Sequence, residues 1–172
     1  MKLSTLFSLQ LNEKATLPTK RPGTYAAYSF NSASRNSIKE LQELLKARNS
    51  EFVPSGLDTI HSTLIYSRDP FDRYVPDEHH DNYEITDPQL AMLSNSKEKD
   101  YIVIKYKCPA QTAKFNYMRK LGAPWDFDEY IPHVTVGYVP KGSQMLLDDL
   151  DFKPSLKIAG EYVEDLNPDW DK

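Results

Sequence analysis

The sequence lacks the residues that would stabilise a secreted or membrane-spanning protein. One cysteine, Cys108, occurs among 172 residues, so no internal disulfide can form. No apolar run approaches the roughly 20 residues that a membrane-spanning helix requires. The apolar residues near the N-terminus are interrupted by polar ones and precede no small-residue cleavage site, so we expect no signal peptide. The expected location is a reducing compartment such as the cytoplasm.

The chain also has no excess of positive charge. It carries 21 Lys and Arg against 25 Asp and Glu, a formal net charge of −4. Proteins that hold long nucleic acids present clustered cations that displace counterions from the phosphates, and no basic run of that kind is present. We therefore expect no long nucleic acid and no membrane as a partner, and nothing implies a protein partner. A small phosphorylated ligand needs only a few local cations.

Length and composition predict a single domain over residues 1–172 of the α+β class. Hydrophobic residues make up 40% of the chain, which is enough to bury one sizeable core. Residues 1–22 are predicted to form an irregular lead-in, and residues 164–172 a mobile tail. Alternation and β-branched or aromatic content predict strands over 23–30, 60–67, 101–107, 132–139 and 156–163.

Helical periodicity lies between these strands. A first helix is predicted from Ser37, where Ser37 and Glu40 fit a capping box, to near Asn49. A second is predicted over 111–121, with Gly122 as a glycine stop. The order strand, helix, strand thus occurs twice, which indicates two similar halves.

The segment from 68 to 96 is predicted to be a long excursion with one short strand near 83–85. Segments of this length in a domain are commonly lids or binding elements. His79 and His80 lie there in an acidic run, but adjacent histidines on a polar loop are typically exposed, and no metal site is expected. Arg68, Arg73, Lys105 and Lys107 are candidate cations for phosphates, although Lys105 and Lys107 share a strand face that solvent alone can satisfy.

Two tetrapeptides carry residues suited to catalysis. They are His61-Ser62-Thr63-Leu64 and His133-Val134-Thr135-Val136, and each falls on a predicted strand. Because successive side chains on a strand point to opposite faces, each motif presents an imidazole beside a hydroxyl. If the two strands lie side by side, both pairs line one cleft.

Such a cleft is suited to cleaving a phosphodiester. The reaction needs a base for the attacking hydroxyl and an acid for the leaving oxygen, and two imidazoles can share these roles near neutral pH. Threonine hydroxyls can donate hydrogen bonds to the non-bridging oxygens. The scheme requires no metal or other cofactor, and the sequence does not assign which histidine is the base.

The duplicated motif resembles the signature of the two-histidine (2H) phosphoesterase superfamily, over residues 24 to about 165. That resemblance implies a bilobal domain, with two antiparallel-sheet lobes around a central cleft and flanking helices. It also implies that His61, Thr63, His133 and Thr135 are catalytic.

A closer resemblance is to the phage anti-CBASS nucleases, carried by Gly23-Thr24-Tyr25, the two histidine motifs and Gly160-Glu161-Tyr162. It implies hydrolysis of cyclic di- and trinucleotide messengers in the cytoplasm of a host bacterium, with Tyr25 and Glu161 holding the nucleotide. A tyrosine can stack on a base and a carboxylate can accept from an amine or hydroxyl. A core aromatic and a solvated surface acid are the alternative interpretations of these two residues.

The sequence departs from that family in the aromatic residue that sandwiches a base. Family members sandwich a base with an aromatic residue from the intervening segment, but no tryptophan lies between His61 and Trp125. Tyr74, Tyr83 and Trp125 are the candidates for that position.

The alternative functions are an RNA 2′,3′-cyclic phosphodiesterase or 2′,5′ RNA ligase, and a sponge that binds cyclic nucleotides without cleaving them.

Overall fold

The computed structural model describes residues 21–94, 96–150 and 152–167. Within these ranges the chain forms seven strands, two α-helices and a 3-10 turn over Leu57–Thr59. In chain order the elements are β1 Thr24–Phe30, α1 Ser32–Arg48, β2 Val53–Pro54, β3 His61–Ser67, β4 Thr86–Leu93, β5 Lys99–Lys107, α2 Pro109–Lys120, β6 His133–Pro140 and β7 Ile158–Asp165. The predicted lead-in lies outside the described residues up to position 20.

The strands form two antiparallel sheets, which confirms the predicted α+β class. One sheet has the order β3-β1-β7 and the other the order β2-β6-β5-β4. Every recorded strand pair is antiparallel. Each sheet therefore contains one of the two histidine-bearing strands, β3 or β6.

Each helix packs against the sheet built by the other half of the chain. Helix α1 follows β1 but contacts β6, and its Gln42 Nε2 donates to the Val136 carbonyl at 2.8 Å. Helix α2 follows β5 but contacts β3, and its Gln111 Nε2 donates to Ser62 Oγ at 3.0 Å. The exchange of helices ties the two sheets together.

Large apolar side chains fill the interior between the sheets and helices. Those that are almost fully buried include Phe30, Ile38, Leu41, Phe52 and Ile102. Burying one such side chain contributes about 1.5–3 kcal/mol, so this core supplies the main force that holds β3 and β6 in place.

Helix α1 begins earlier than the predicted capping box. Its N-cap is Asn31, whose side-chain oxygen accepts from the Ser34 backbone N–H at 2.8 Å. The Ser37 hydroxyl instead accepts from the Ser155 backbone N–H. Asparagine and serine are both strong N-caps, and the chain uses the earlier one. The predicted end at Asn49 and the glycine stop are confirmed, since Gly122 has a φ of 101°.

The short strand predicted near 83–85 is wrong. Tyr83 is a buried core residue, and the strand β4 begins only at Thr86. The register of β4 on β5 shifts between Thr86 and Gln89, so Pro88 lies in an irregularity of an edge strand. Proline is tolerated there because no ladder hydrogen bond is lost.

The predicted tail also begins too early. Strand β7 continues to Asp165, and the Leu166 backbone N–H donates to the Gly23 carbonyl at 2.8 Å. Leu166 is buried, so the chain is anchored to this point. Residues 168–172 lie outside the described part. Among the described residues, no helix is both long enough and apolar enough to cross a bilayer.

Candidate active site

His61 and His133 are held in the same way at the first residue of their strands. The Nδ1 atom of His61 lies 2.7 Å from the Thr59 carbonyl oxygen, and that of His133 lies 2.7 Å from the Ile131 carbonyl oxygen. Since a carbonyl oxygen only accepts, Nδ1 carries the proton in both rings. Each imidazole therefore has Nε2 left for a substrate.

The two histidine strands are in contact but are not neighbours in one sheet. Strands β3 and β6 belong to different sheets and pack against each other. Burial lowers the pKa of His133, and the charges of His61 and Lys105 lower it further, against the opposing effect of the Ile131 carbonyl. The two imidazoles are thus within electrostatic reach of each other.

The threonines share a face with the histidines, as the strand alternation predicts. Ser62 and Leu64 on β3, and Val134 on β6, are fully buried, whereas Thr63 and Thr135 are partly exposed. The open face of each strand therefore presents an imidazole followed by a hydroxyl.

Tyr25 lies beside the first motif. Its hydroxyl is 2.9 Å from Thr63 Oγ1, and its ring meets the His61 ring edge-on with centroids 5.9 Å apart. Tyr162 on β7 is the next ring, with a centroid 6.4 Å from that of Tyr25. Burial raises the pKa of the Tyr25 hydroxyl, so it stays protonated and can donate to a substrate. The structure thus brings Tyr25 to the face of His61 and Thr63.

Glu161 is not on that face. In the ladder, Glu161 is opposite Tyr28, whereas His61 is opposite Ser29, the next residue of β1. Because side chains alternate along β1, Glu161 and His61 point to opposite sides of the sheet. Tyr28 is fully buried and the Glu161 side chain is 0% exposed.

The Glu161 carboxylate is satisfied by four groups in the interior. Lys114 Nζ lies 2.8 and 3.0 Å from its two oxygens, and the Asp77 backbone N–H, His80 Nε2 and the Tyr74 hydroxyl also hydrogen-bond to it. Burial raises the pKa of Glu161, while the Asp77 N–H favours the ionised form. The carboxylate therefore anchors the segment 74–80 to β7.

The expectation that both histidines of the acidic run are exposed is wrong for His80. Its side chain is 9% exposed and contacts the rings of Tyr28 and Tyr83. Burial lowers the pKa of His80. Among the described residues, no group of three or more His, Cys, Asp or Glu is arranged to hold a metal ion.

The three candidate sandwich aromatics all pack within the protein. Tyr74 and Tyr83 are buried, and Trp125 contacts the rings of Phe115 and Phe127 edge-on. These contacts give all three residues a role in packing, and Tyr25 and Tyr162 form the ring pair beside the first motif.

A buried hydrogen-bond network supports the first motif from beneath, and the sequence analysis missed it. Gln111 Nε2 donates to Ser62 Oγ and to the Tyr130 hydroxyl, and its Oε1 accepts from the Tyr106 hydroxyl. The Tyr130 hydroxyl donates in turn to the Thr63 carbonyl at 3.0 Å. A buried glutamine on a helix has no sequence signal that separates it from an exposed one.

The surroundings of the two motifs repeat in register. On β1 and β3, His61, Thr63 and Tyr66 are opposite Ser29, Ala27 and Tyr25. On β5 and β6, His133, Thr135 and Tyr138 are opposite Lys105, Val103 and Tyr101. Each ladder has its irregularity at the corresponding place, after Ala26 and after Ile102. The predicted similarity of the two halves is confirmed at the level of individual residue pairs.

Comparison with known proteins identifies the family. The sequence model of the family described as "Anti-CBASS protein Acb1" matches residues 22–172. The Anti-CBASS protein Acb1 of Vibrio phage KVP40 is 28% identical over 148 residues, which cover 86% of this chain and 90% of that protein. The proteins of that name from Enterobacteria phage T4 and Acinetobacter phage Ac42 are each 29% identical, over 86% of this chain and 91% and 93% of their own lengths. The chain belongs to the Anti-CBASS protein Acb1 family.

Proposed function

We propose that this protein is a metal-independent phosphodiesterase of the 2H type, which cleaves the cyclic di- and trinucleotide messengers of bacterial CBASS defence. One observation carries the proposal: two imidazoles, each fixed through Nδ1 to a carbonyl, offer Nε2 from two strands in contact. The family name supports the anti-CBASS role. The protein then acts in the cytoplasm of the infected bacterium.

The chemistry uses the ribose 2′-hydroxyl as the nucleophile. One histidine takes the 2′ proton through Nε2 as the 2′ oxygen bonds to phosphorus, and the other protonates the 5′ oxygen as its bond to phosphorus breaks. The products are a 2′,3′-cyclic phosphate and a free 5′-hydroxyl. Water can then open the cyclic phosphate by the reverse use of the same pair.

The threonines and Tyr25 hold the reacting group and the base. Thr63 and Thr135 donate to the non-bridging oxygens, where negative charge grows in the transition state. Tyr25 offers its ring for stacking, which is tolerant of base identity. Glu161 is proposed to act from the opposite side of the sheet, by holding β7 and therefore Tyr162 next to Tyr25.

The test is a product analysis. The protein is incubated with a panel of 3′,5′-linked cyclic di- and trinucleotides, with and without EDTA, and the products are separated by chromatography. Ring-opened products in both conditions are expected. The double variant His61→Ala, His133→Ala is the control for contaminating nucleases, and it should leave the nucleotides intact.

The same experiment separates the alternatives. Turnover of RNA that ends in a 2′,3′-cyclic phosphate, without turnover of any cyclic oligonucleotide, would replace the proposal with an RNA-end enzyme. Stoichiometric loss of free nucleotide, with intact nucleotide recovered after denaturation, would instead identify a sponge.

A further inference from the structure

Lys105 lies directly opposite His133 in the ladder between β5 and β6. Directly opposed residues of an antiparallel pair point to the same face, with Cβ atoms about 5 Å apart. The Lys105 side chain is partly exposed, so it shares the open face of β6 with His133 and Thr135. The positive charge of Lys105 therefore acts on the His133 imidazole.

The other half of the site has no such charge at this position. Ser29 is opposite His61 in the equivalent ladder, and it is neutral. Among the described residues, the Tyr25 ring meets that of His61, whereas the charges of both His61 and Lys105 act on His133. The duplicated site is thus electrostatically asymmetric.

Lys105 also differs from its neighbour Lys107. Lys107 Nζ forms an ion pair with Asp87 at 2.8 Å, and its side chain is 74% exposed. Within the described ranges, no carboxylate is recorded as an ion-pair partner of Lys105, whose charge acts on His133 instead. Lys107 is therefore a surface cation, whereas Lys105 lies on the open face that carries His133 and Thr135.

We propose that Lys105 is a further catalytic residue, which binds the reacting phosphate and makes His133 the base and His61 the acid. This assignment rests on the proposed phosphodiesterase function. It names both the cation that holds the phosphate and the direction of proton flow across the site.

The physical reason is the effect of a fixed positive charge on an imidazole. A cation close to His133 disfavours its protonated form, and a general base must start neutral. The burial of His133 acts in the same direction. When the phosphate binds, its oxygens compensate Lys105, so His133 can accept the proton as negative charge grows on phosphorus. With His133 as the base, His61 is left to act as the acid.

The division of roles is tested with a substrate whose leaving group needs no acid. A cyclic dinucleotide is made with sulfur in place of the bridging 5′ oxygen, because a thiolate departs without protonation. His61→Ala should lose about 10²–10⁴-fold in rate on the oxygen substrate and recover on the sulfur substrate. His133→Ala should lose activity on both. Recovery of the His133→Ala variant instead would overturn the assignment.

The role of Lys105 is tested by the pH dependence of the rate in variants at this position. Lys105→Met should reduce kcat by about 10²-fold, and it should shift the acid limb of kcat/KM to higher pH because His133 becomes easier to protonate. Lys105→Arg should return the acid limb of kcat/KM to its wild-type pH. Lys107→Met is the matched control and should leave both rate and profile unchanged. An unchanged Lys105→Met enzyme, or a shift of the alkaline limb alone, would refute the proposal.

A readout independent of turnover separates this proposal from the proposed function. The imidazole resonances of both histidines are titrated by NMR in the wild type and in Lys105→Met. His133 should titrate at higher pH in the variant, because the positive charge that disfavours its protonated form is gone. An unmoved His133 would refute the role of Lys105, whereas absence of cyclic nucleotide cleavage by the wild type would refute the phosphodiesterase itself.

Discussion

The two halves of the site share their reactive groups and differ in what surrounds them. Both present a histidine with its Nδ1 fixed to a carbonyl, a threonine on the same face and a tyrosine pair beyond a ladder irregularity. Next to the histidine, however, one half has Ser29 and the other Lys105. In the proposed mechanism the repeated groups transfer the protons, and the difference between Ser29 and Lys105 determines which histidine is the acid and which is the base.

The outer strands differ even more. Strand β7 carries Glu161, which is buried in a cluster with Lys114. Strand β4 takes the corresponding place at the edge of the other sheet, where Pro88 lies in a register shift. The β3 sheet, which carries Tyr25, thus has its outer strand tied to helix α2 through Glu161 and Lys114.

Removing either imidazole breaks the shared chemistry and should have the largest effect. His61→Ala and His133→Ala should each reduce kcat by about 10²–10⁴-fold, since proton transfer is lost on one side of the phosphate. Rates are measured with a cyclic dinucleotide. His79→Ala, at an exposed position outside both motifs, is the control and should keep full activity. Full activity in either motif variant would contradict a two-histidine mechanism.

Breaking the buried ion pair should damage only the β7 half, and it should do so through stability. Lys114→Met leaves the Glu161 carboxylate without its cation and should lower the free energy of unfolding by about 3–5 kcal/mol. Urea denaturation measures this loss. Lys107→Met removes an exposed pair and should cost about 0–1 kcal/mol. Equal losses in the two variants would show that Glu161 does not depend on Lys114.

The two threonines have different surroundings, so substitutions at them should have different effects. Thr63→Val and Thr135→Val keep the side-chain shape but remove a donor to the phosphate, and each should lower kcat by about 10²-fold. Thr63→Val also breaks the contact with the Tyr25 hydroxyl, so it should raise KM more than Thr135→Val does. Steady-state kinetics on both variants give the answer. An identical pair of kcat and KM values would mean that Tyr25 plays no part.

The smallest effect is expected at Tyr25 and at Tyr101, which occupy equivalent positions in the two halves. Tyr25→Phe removes one hydrogen bond, worth about 0.5–1.5 kcal/mol, and should reduce kcat/KM by about tenfold or less. Tyr101→Phe, at the equivalent position of the other half, should be silent because no hydroxyl contact with Thr135 is recorded among the described residues. Equal losses at both positions would make the two halves equivalent in substrate binding.

Much of the site could be predicted from short-range pattern. Alternation along a strand places His61 on the same face as Thr63, and the burial of Ser62 between them confirms it. The location of Glu161 could not be predicted in this way, because the face that it occupies depends on its register with Tyr28, which only the tertiary fold determines.

The errors in the helix and strand bounds have a similar origin. Asn31 and Ser37 both suit an N-cap, and the contact of Ser37 with Ser155, distant in sequence, decides between them. Pro88 disfavours a strand locally, yet pairing with β5 outweighs it. In each case a long-range contact overrides a local preference.

The central claim is that both imidazoles flank one phosphate, and a crystal structure with a cyclic dinucleotide whose 2′-hydroxyls are methylated would test it most directly. The methyl groups block the attack and keep the ring intact. We predict that the Nε2 atoms of His61 and His133 lie on opposite sides of one phosphate, within about 3.5 Å of its 2′ and 5′ oxygens. A phosphate bound away from either ring, with the two imidazoles facing separate parts of the ligand, would contradict the account.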